Sequence, residues 1–336
     1  MRLAFVFLLA FMPTVLLGAA EPIKDGFYDE RNAQGALVRT AEYRFGVLNG
    51  RFRTYYPDGR IKAAGEYLNG KLNGMFQAYW PKGTMKVKSF YDEGKLHGIA
   101  TLYYKNGKAQ GEITYIKGIQ DGLTREFDEQ GRPAWERHFI NGREQGLTKQ
   151  FFPESGALYR EYEYKHGEQR GLVREYYENG RVKGVYQAVN SVRIGMGMEY
   201  YDTGELLHEG PMLNDRFNGL MTTYYKSGAV RSKVRYKNGT MDDPDWREFY
   251  ETGELWNLVS VRNGKKQGPG KEFYPGGVLR NEGTFKDDRR EGVFKIYGPQ
   301  GALQAKDSYD HGHLVRHQEF NKDGKMLMEQ IFYAPS

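Results

Sequence analysis

A glycine returns every 24 residues along most of this chain, and that spacing limits the fold more than any single motif. It leads repeats at Gly26, Gly50, Gly74, Gly98, Gly122 and Gly146, then slips by one residue in the turn Pro153-Glu-Ser-Gly156. The series resumes at Gly171, Gly195 and Gly219. A second slip puts Pro244 in the leading position, after which Gly268 and Gly292 continue and a partial repeat opens near Val315. About thirteen repeats result, and a period of this length marks a tandem array.

Inside a repeat the residue five places after the leader is aromatic almost throughout, as in Tyr55, Tyr79, Tyr103, Tyr176 and Phe273. A glycine comes ninth, a second aromatic seventeenth and a further glycine about three residues later, as in Gly59, Tyr67 and Gly70. Turns such as Pro57-Asp58-Gly59 and Lys105-Asn106-Gly107 suit a type I turn closed by a left-handed glycine. Both connections are too short for a helical crossover, so neighbouring strands have to be antiparallel. The expected fold is all-β: an elongated, single-sheet antiparallel meander of about thirteen tandem β-hairpins. At two strands per repeat and roughly 4.8 Å per strand, such a rod would reach about 120 Å. The second aromatic and its glycine lapse between Gly171 and Gly219, where Ala188, Ser191, Met212 and Asp215 stand instead. Asp242-Asp243-Pro244-Asp245 marks a further irregularity, expected to be a charged turn.

Residues 1–20 differ from the rest. Arg2 precedes an apolar run from Leu3 to Leu17, and Gly18-Ala19-Ala20 then offer a small-residue cleavage site. This is the pattern of a secretory signal peptide, with residues 21–336 forming the array. No cysteine follows the run, so lipoprotein processing is not expected, and the mature protein would be secreted or periplasmic. With no cysteine anywhere, stability there rests on packing and strand pairing. Removing Arg2 with the leader leaves a mild formal excess of +5 with signs interspersed, which does not suggest a specific nucleic-acid site.

Catalytic constellations are not apparent. There is no Gly-x-Ser-x-Gly elbow and no cysteine nucleophile. Glu175, Glu199, Glu248 and Glu272 recur once per repeat beside Arg or Lys, which reads as surface charge and not as an acid/base pair. His311, His313 and His317 form the one histidine cluster, expected to be a solvated loop and not a metal site. Gly264-Lys-Lys-Gln-Gly-Pro-Gly270 resembles a phosphate cradle in composition, but it occupies an ordinary inter-repeat loop with no helix after it. No cofactor, no metal and no enzymatic activity are therefore expected.

What remains is the sixth position: Tyr56, Trp80, Tyr104, Tyr177, Tyr201, Tyr225, Tyr250 and Tyr274. Adjacent strand residues point to opposite faces, so the fifth position is expected to pack. The sixth then either packs as well or forms an exposed aromatic strip flanked by Arg and Lys. An exposed strip would suit a protein partner, since Tyr, Trp and Arg are enriched at interface hot spots.

The pattern Gly-x4-Tyr-Tyr-x2-Gly-x-Leu/Val-x5-Tyr-x2-Gly-x3-Gly resembles the MORN-repeat variant of YwqK-type proteins. The repeat led by Gly98 carries it well, with Thr101-Leu-Tyr-Tyr-Lys-Asn-Gly107, Tyr115-Ile-Lys-Gly118 and Asp121-Gly122. The resemblance covers residues 26–333. It implies a scaffold, adaptor or binding array, and proteins similar to YwqK are commonly labelled as the antitoxin side of toxin–antitoxin pairs. The export signal departs from a cytoplasmic antitoxin. The function expected is a non-catalytic exported scaffold that binds a protein partner, with the resemblance pointing to an antitoxin- or immunity-like role. The alternative is a module that binds envelope polysaccharide or anionic lipid.

Overall fold

The computed structural model describes residues 25–333. The expected signal peptide lies outside the described residues. Those residues contain 31 strands and no helix, and every pairing between them is antiparallel. The chain divides into two compact parts, one ending at Ile119 and one beginning at Gln120. In each, the strands follow one another in chain order as a meander of hairpins, which bears out the all-β expectation.

Two turns alternate, and each explains one glycine of the period. Within a repeat, Tyr56 N–H donates to Arg60 O at 2.8 Å and Gly59 N–H donates to Tyr56 O at 2.9 Å. Gly59 sits at φ 80°, a left-handed conformation that costs a Cβ-bearing residue energy and costs glycine nothing. Between repeats the loop has two residues, both at positive φ, as in Asn69 at 49° and Gly70 at 78°. That is the primed hairpin turn, whose twist matches the strands it joins. Ser191, Asp215 and Asp288 hold the same conformation without being glycine, at 67°, 64° and 68°. Each has a side-chain bond in exchange: Ser191 Oγ to Gln169, Asp215 Oδ1 from Arg193 N–H, and Asp288 Oδ1 from Lys266 N–H.

Burial corrects the expectation about the packing face. The deeply buried position is the second after the leader: Phe52, Phe76, Ala100, Thr124, Thr148, Val173 and Phe294 are each under 9% exposed. The fifth-position aromatics are only half-buried. Alternation from the buried second residue explains this, since it puts the fourth residue on the core face and the fifth on the other; pairing also shifts register between the fourth and fifth residues, for example at Thr54/Tyr55 and Glu175/Tyr176. The fifth ring then lies with the third residue's face, where Tyr176 Oη donates to Glu161, the cross-strand partner of Arg174.

The core is filled by size matching along one row. Large Phe52 pairs with Gly65, and Phe76 with Ser89. Three smaller second residues have larger partners: Ala100 faces Ile113, Thr148 faces Tyr162 and Val173 faces Tyr186. A Cβ added to Gly65 would come 2.9 Å from the Phe52 ring, so the glycine is there to leave room. The seventeenth-position aromatics cap this row, with ring centroids 4.8 Å apart for Phe52 and Tyr67 and 5.4 Å for Phe294 and Tyr309. Polar second positions are satisfied by the residue four earlier: Thr124 by Gln120 and Thr148 by Glu144.

The two irregular repeats resolve differently from each other. The Pro153–Gly156 turn takes the extra residue as a wider loop, closed by Phe152 N–H to Ala157 O at 2.8 Å. In the later repeat Asp243, not Pro244, holds the leading position, since it pairs with Val261 as Gly74 pairs with Tyr91. The extra residue falls in a bulge between Asp243 and Trp246.

Candidate functional site

The sixth-position residues are where the turn begins, and this gives them a job that strand alternation does not show. Tyr56 anchors its turn by its backbone, and its hydroxyl donates to Tyr79 O, the carbonyl of the fifth residue in the next repeat, at 2.7 Å. Trp80 repeats this through its indole N–H to Tyr103 O at 3.3 Å. In the second part Tyr177 reaches Tyr200 O, Tyr201 reaches Tyr224 O, Tyr225 reaches Phe249 O, Tyr250 reaches Phe273 O and Tyr274 reaches Tyr297 O, at 2.7–3.1 Å. Tyr104 occupies the same position. All eight are half-buried. The ladder is thus a set of staples that tie each turn to the next.

At two positions where the aromatic is missing, a local cap stands in place of the staple. Asp128 Oδ1 accepts from the N–H groups of Gln130 and Arg132, and Asn321 Oδ1 accepts from those of Asp323 and Lys325. Such side chains mimic a turn by bonding backbone donors just ahead of them.

The rings keep an outward face, and cations cover it. Lys86 and Lys105 stand 4.8 and 5.6 Å from the Trp80 ring centre, and Lys226 stands 5.3 Å from Tyr201. Lys62 caps Tyr56, Lys183 caps Tyr177, Arg231 caps Tyr225 and Arg280 caps Tyr274, at 5.5–6.0 Å. Each member of this second set follows its ring by six residues, on the returning strand of the same hairpin. Within each part the turn edge therefore presents aromatic rings topped by positive charge, an arrangement worth roughly 0.5–1 kcal/mol per exposed pair.

The carboxylates read as surface charge are placed otherwise. The fourth position shares a face with the second, so Glu126, Glu175, Glu199, Glu248 and Glu272 sit half-buried at the turn-side end of the core face. Glu126 pairs with Arg137, whose guanidinium lies 5.3 Å from the Trp135 ring centre, and burial holds the Glu126 carboxyl above its ordinary value. Glu175 accepts from Tyr186 Oη at 2.7 Å, Glu248 from Asn257, and Glu272 from Arg280 and Asn281. Burial and the bond to Glu175 push Tyr186 up to about 12. These partners stand on neighbouring strands, which is why the sequence spacing alone did not reveal them.

The other singled-out clusters are structural. His311 lies in a two-residue turn at φ 51°, with its ring on Asp310 at 2.6 Å, so it does not share a strand face with His313. Glu291, Asp310 and His311 offer three ligand atoms within 4.8 Å, but Glu291 already accepts the His311 N–H. His317 is apart from them, bonded to buried Asp307 at 2.6 Å and to Glu319 at 3.3 Å. The Asp243 carboxylate takes the N–H groups of Arg235 and Asp245, so it closes the bulge and is not free to hold calcium. Gly264 lies in the ordinary two-residue turn, as expected.

No curated protein matches this chain. Among solved structures, a TcdB2-TccC3 crystal structure aligns at 10% identity with a TM-score of 0.19, covering 91% of this chain and 18% of that one. A Photorhabdus luminescens Tc holotoxin pore aligns at 10% identity and a TM-score of 0.18, with the same coverage. The chain thus spans under a fifth of these proteins, and alignments of this quality constrain neither its fold nor its function. The family comparison agrees with the period and the hairpins described above: residues 48–69, 96–117, 217–238 and 266–287 match the MORN repeat variant, so the chain carries MORN-type repeats at four places.

Proposed function

We propose that this protein is a non-catalytic, exported repeat scaffold that binds a protein partner along its turn edge, in an antitoxin- or immunity-like role. The supporting observation is the row of half-buried rings topped by Lys and Arg, repeated at fixed spacing within each part. The rings are held rigid by their staples, so little side-chain entropy is lost on contact, and the cations favour a partner with acidic groups. Export is supported by the apolar run Leu3–Leu17 and the small residues that follow it.

The test is affinity capture from an envelope fraction with the wild-type chain and with a Lys86→Glu, Arg231→Glu, Arg280→Glu variant, which leaves every staple in place. A partner held by the first and lost by the second is the expected result. Recovery of nothing specific, or equal recovery by both, would remove the proposal.

The same cations favour a second reading, a module for anionic lipid or envelope polysaccharide. It requires sedimentation with anionic vesicles or cell wall at low salt and release as salt rises.

A further inference from the structure

The core row holds two places where glycine faces glycine, and they end differently. Gly270 pairs with Gly283, and the space is closed by Phe285 and Phe294, whose ring centres are 5.4 Å apart. A Cβ on Gly270 would come 2.7 Å from Phe285, and one on Gly283 would come 2.5 Å from Phe294. Gly197 pairs with Gly210 in the same way, but the residue at the Phe285 position is Met212 and its counterpart one repeat earlier is Ala188. Met212 Sδ leans over Gly197, 2.8 Å from where a Cβ would stand. Met221 closes over Gly210, where a Cβ would come 3.2 Å from it, so two methionines stand in place of the two rings, and a hollow of about 340 Å³ lies beside Gly197 on the core face. This is the stretch where the second aromatic ladder lapses in the sequence.

The hollow is polar and largely pre-set. Glu175 accepts from Tyr186 Oη at 2.7 Å, and the Arg193 guanidinium lies 4.2 Å from the Tyr186 ring centre. His208 Nε2 stands 3.4 Å from Glu199 Oε2, and its ring meets Phe217 edge-on. These contacts leave Glu175 Oε2 and Glu199 Oε1 without a hydrogen-bond partner among the described residues, while Lys183 also lines the space. Glu272, at the equivalent position, has both oxygens engaged by Arg280 and Asn281.

We propose that this hollow binds a neutral, hydroxyl-rich ligand of one or two sugar residues. Two carboxylate oxygens accept hydroxyl protons, Lys183 and Arg193 donate to hydroxyl or ring oxygens, and Met212 and Phe217 form an apolar wall. An anion would meet Glu175, Glu199 and Asp215, and a polyamine would meet Lys183 and Arg193, so neither charge sign is matched. The volume lies at the small end of the range of about 300–1,000 Å³ that ligand sites occupy. The inference does not depend on the partner proposed above.

Calorimetric titration of the full chain with glucose, N-acetylglucosamine and maltose tests it. At least one of them binds the wild type, Glu199→Gln weakens that binding tenfold or more, and Glu272→Gln leaves it unchanged. Met212→Phe, which restores the capping seen at Gly270 and Gly283, abolishes binding while the chain stays folded by circular dichroism. The proposal is overturned if none of the three sugars binds, if Met212→Phe or Glu199→Gln binds as wild type, or if spermidine or inorganic phosphate occupies the site in preference.

Discussion

Gly283 shows how closely the core row is fitted. Its backbone is extended, so nothing but the Phe294 ring 2.5 Å from the missing Cβ forbids a side chain. Gly283→Ala is expected to lower stability by about 1–3 kcal/mol in urea unfolding, as overpacking does. Gly184→Ala, where the nearest atom to the new Cβ is 3.5 Å away, should change it by less than about 1 kcal/mol of either sign. Ser191 offers the opposite case. It holds φ 67° without being glycine, and Ser191→Gly should raise stability by up to about 1 kcal/mol, less whatever the bond to Gln169 contributes. His317 gives the C-terminal repeat one pH-dependent contribution. Its hydrogen bonds to Asp307 and Glu319 raise its pKa above the ordinary histidine value. That contribution is therefore complete below the unfolded value near 6.5 and is lost as pH rises through the folded one. The mid-point of unfolding should fall over that interval in the wild type and stay flat there in His317→Gln. Asp307, half of this pair, is one of the few buried carboxylates.

At the scale of the hairpin, the period made strands, turns and their order legible, because glycine at positive φ and aromatic residues at fixed spacing leave few alternatives. What it hid was which face is buried and where the strand stops. Alternation puts the fifth residue opposite the buried second and fourth, and the register shift at Thr54/Tyr55 and its equivalents marks the end of the strand there. The sixth residue is then the first residue of a turn, and its hydroxyl bonds a carbonyl 23 residues away, which no local pattern encodes. The core row was missed for a related reason: its members vary from Phe to Gly, so they do not look like a ladder. Size matching, not identity, is what repeats. The staple itself is testable. Tyr225→Phe keeps the ring and leaves Phe249 O unpaired, at an expected loss of about 0.5–1.5 kcal/mol. Tyr225→Phe combined with Tyr274→Phe, two repeats away, should give the sum of the single losses, since the staples share no partner.

Across the whole molecule the tyrosines set the alkaline limit. Burial, followed by bonds to Glu161, Glu175 and Glu209, pushes Tyr176, Tyr186 and Tyr224 up to about 12. Their neutral forms are favoured by folding, so stability holds up to the ordinary value of 10 and drains away between there and 12. Absorbance titration should show these three ionising above the ordinary value of 10, together with loss of the sheet signal.

The uneven core row has a consequence for assembly. In an array of near-identical hairpins, a strand set against the wrong copy would still meet a matching backbone ladder. Here such a slip would set Phe52 against Tyr162, or leave Gly65 facing Ala100 across empty space. The irregularity of that row acts as an address, giving each hairpin one neighbour that fits and making the order of the repeats part of the folding code.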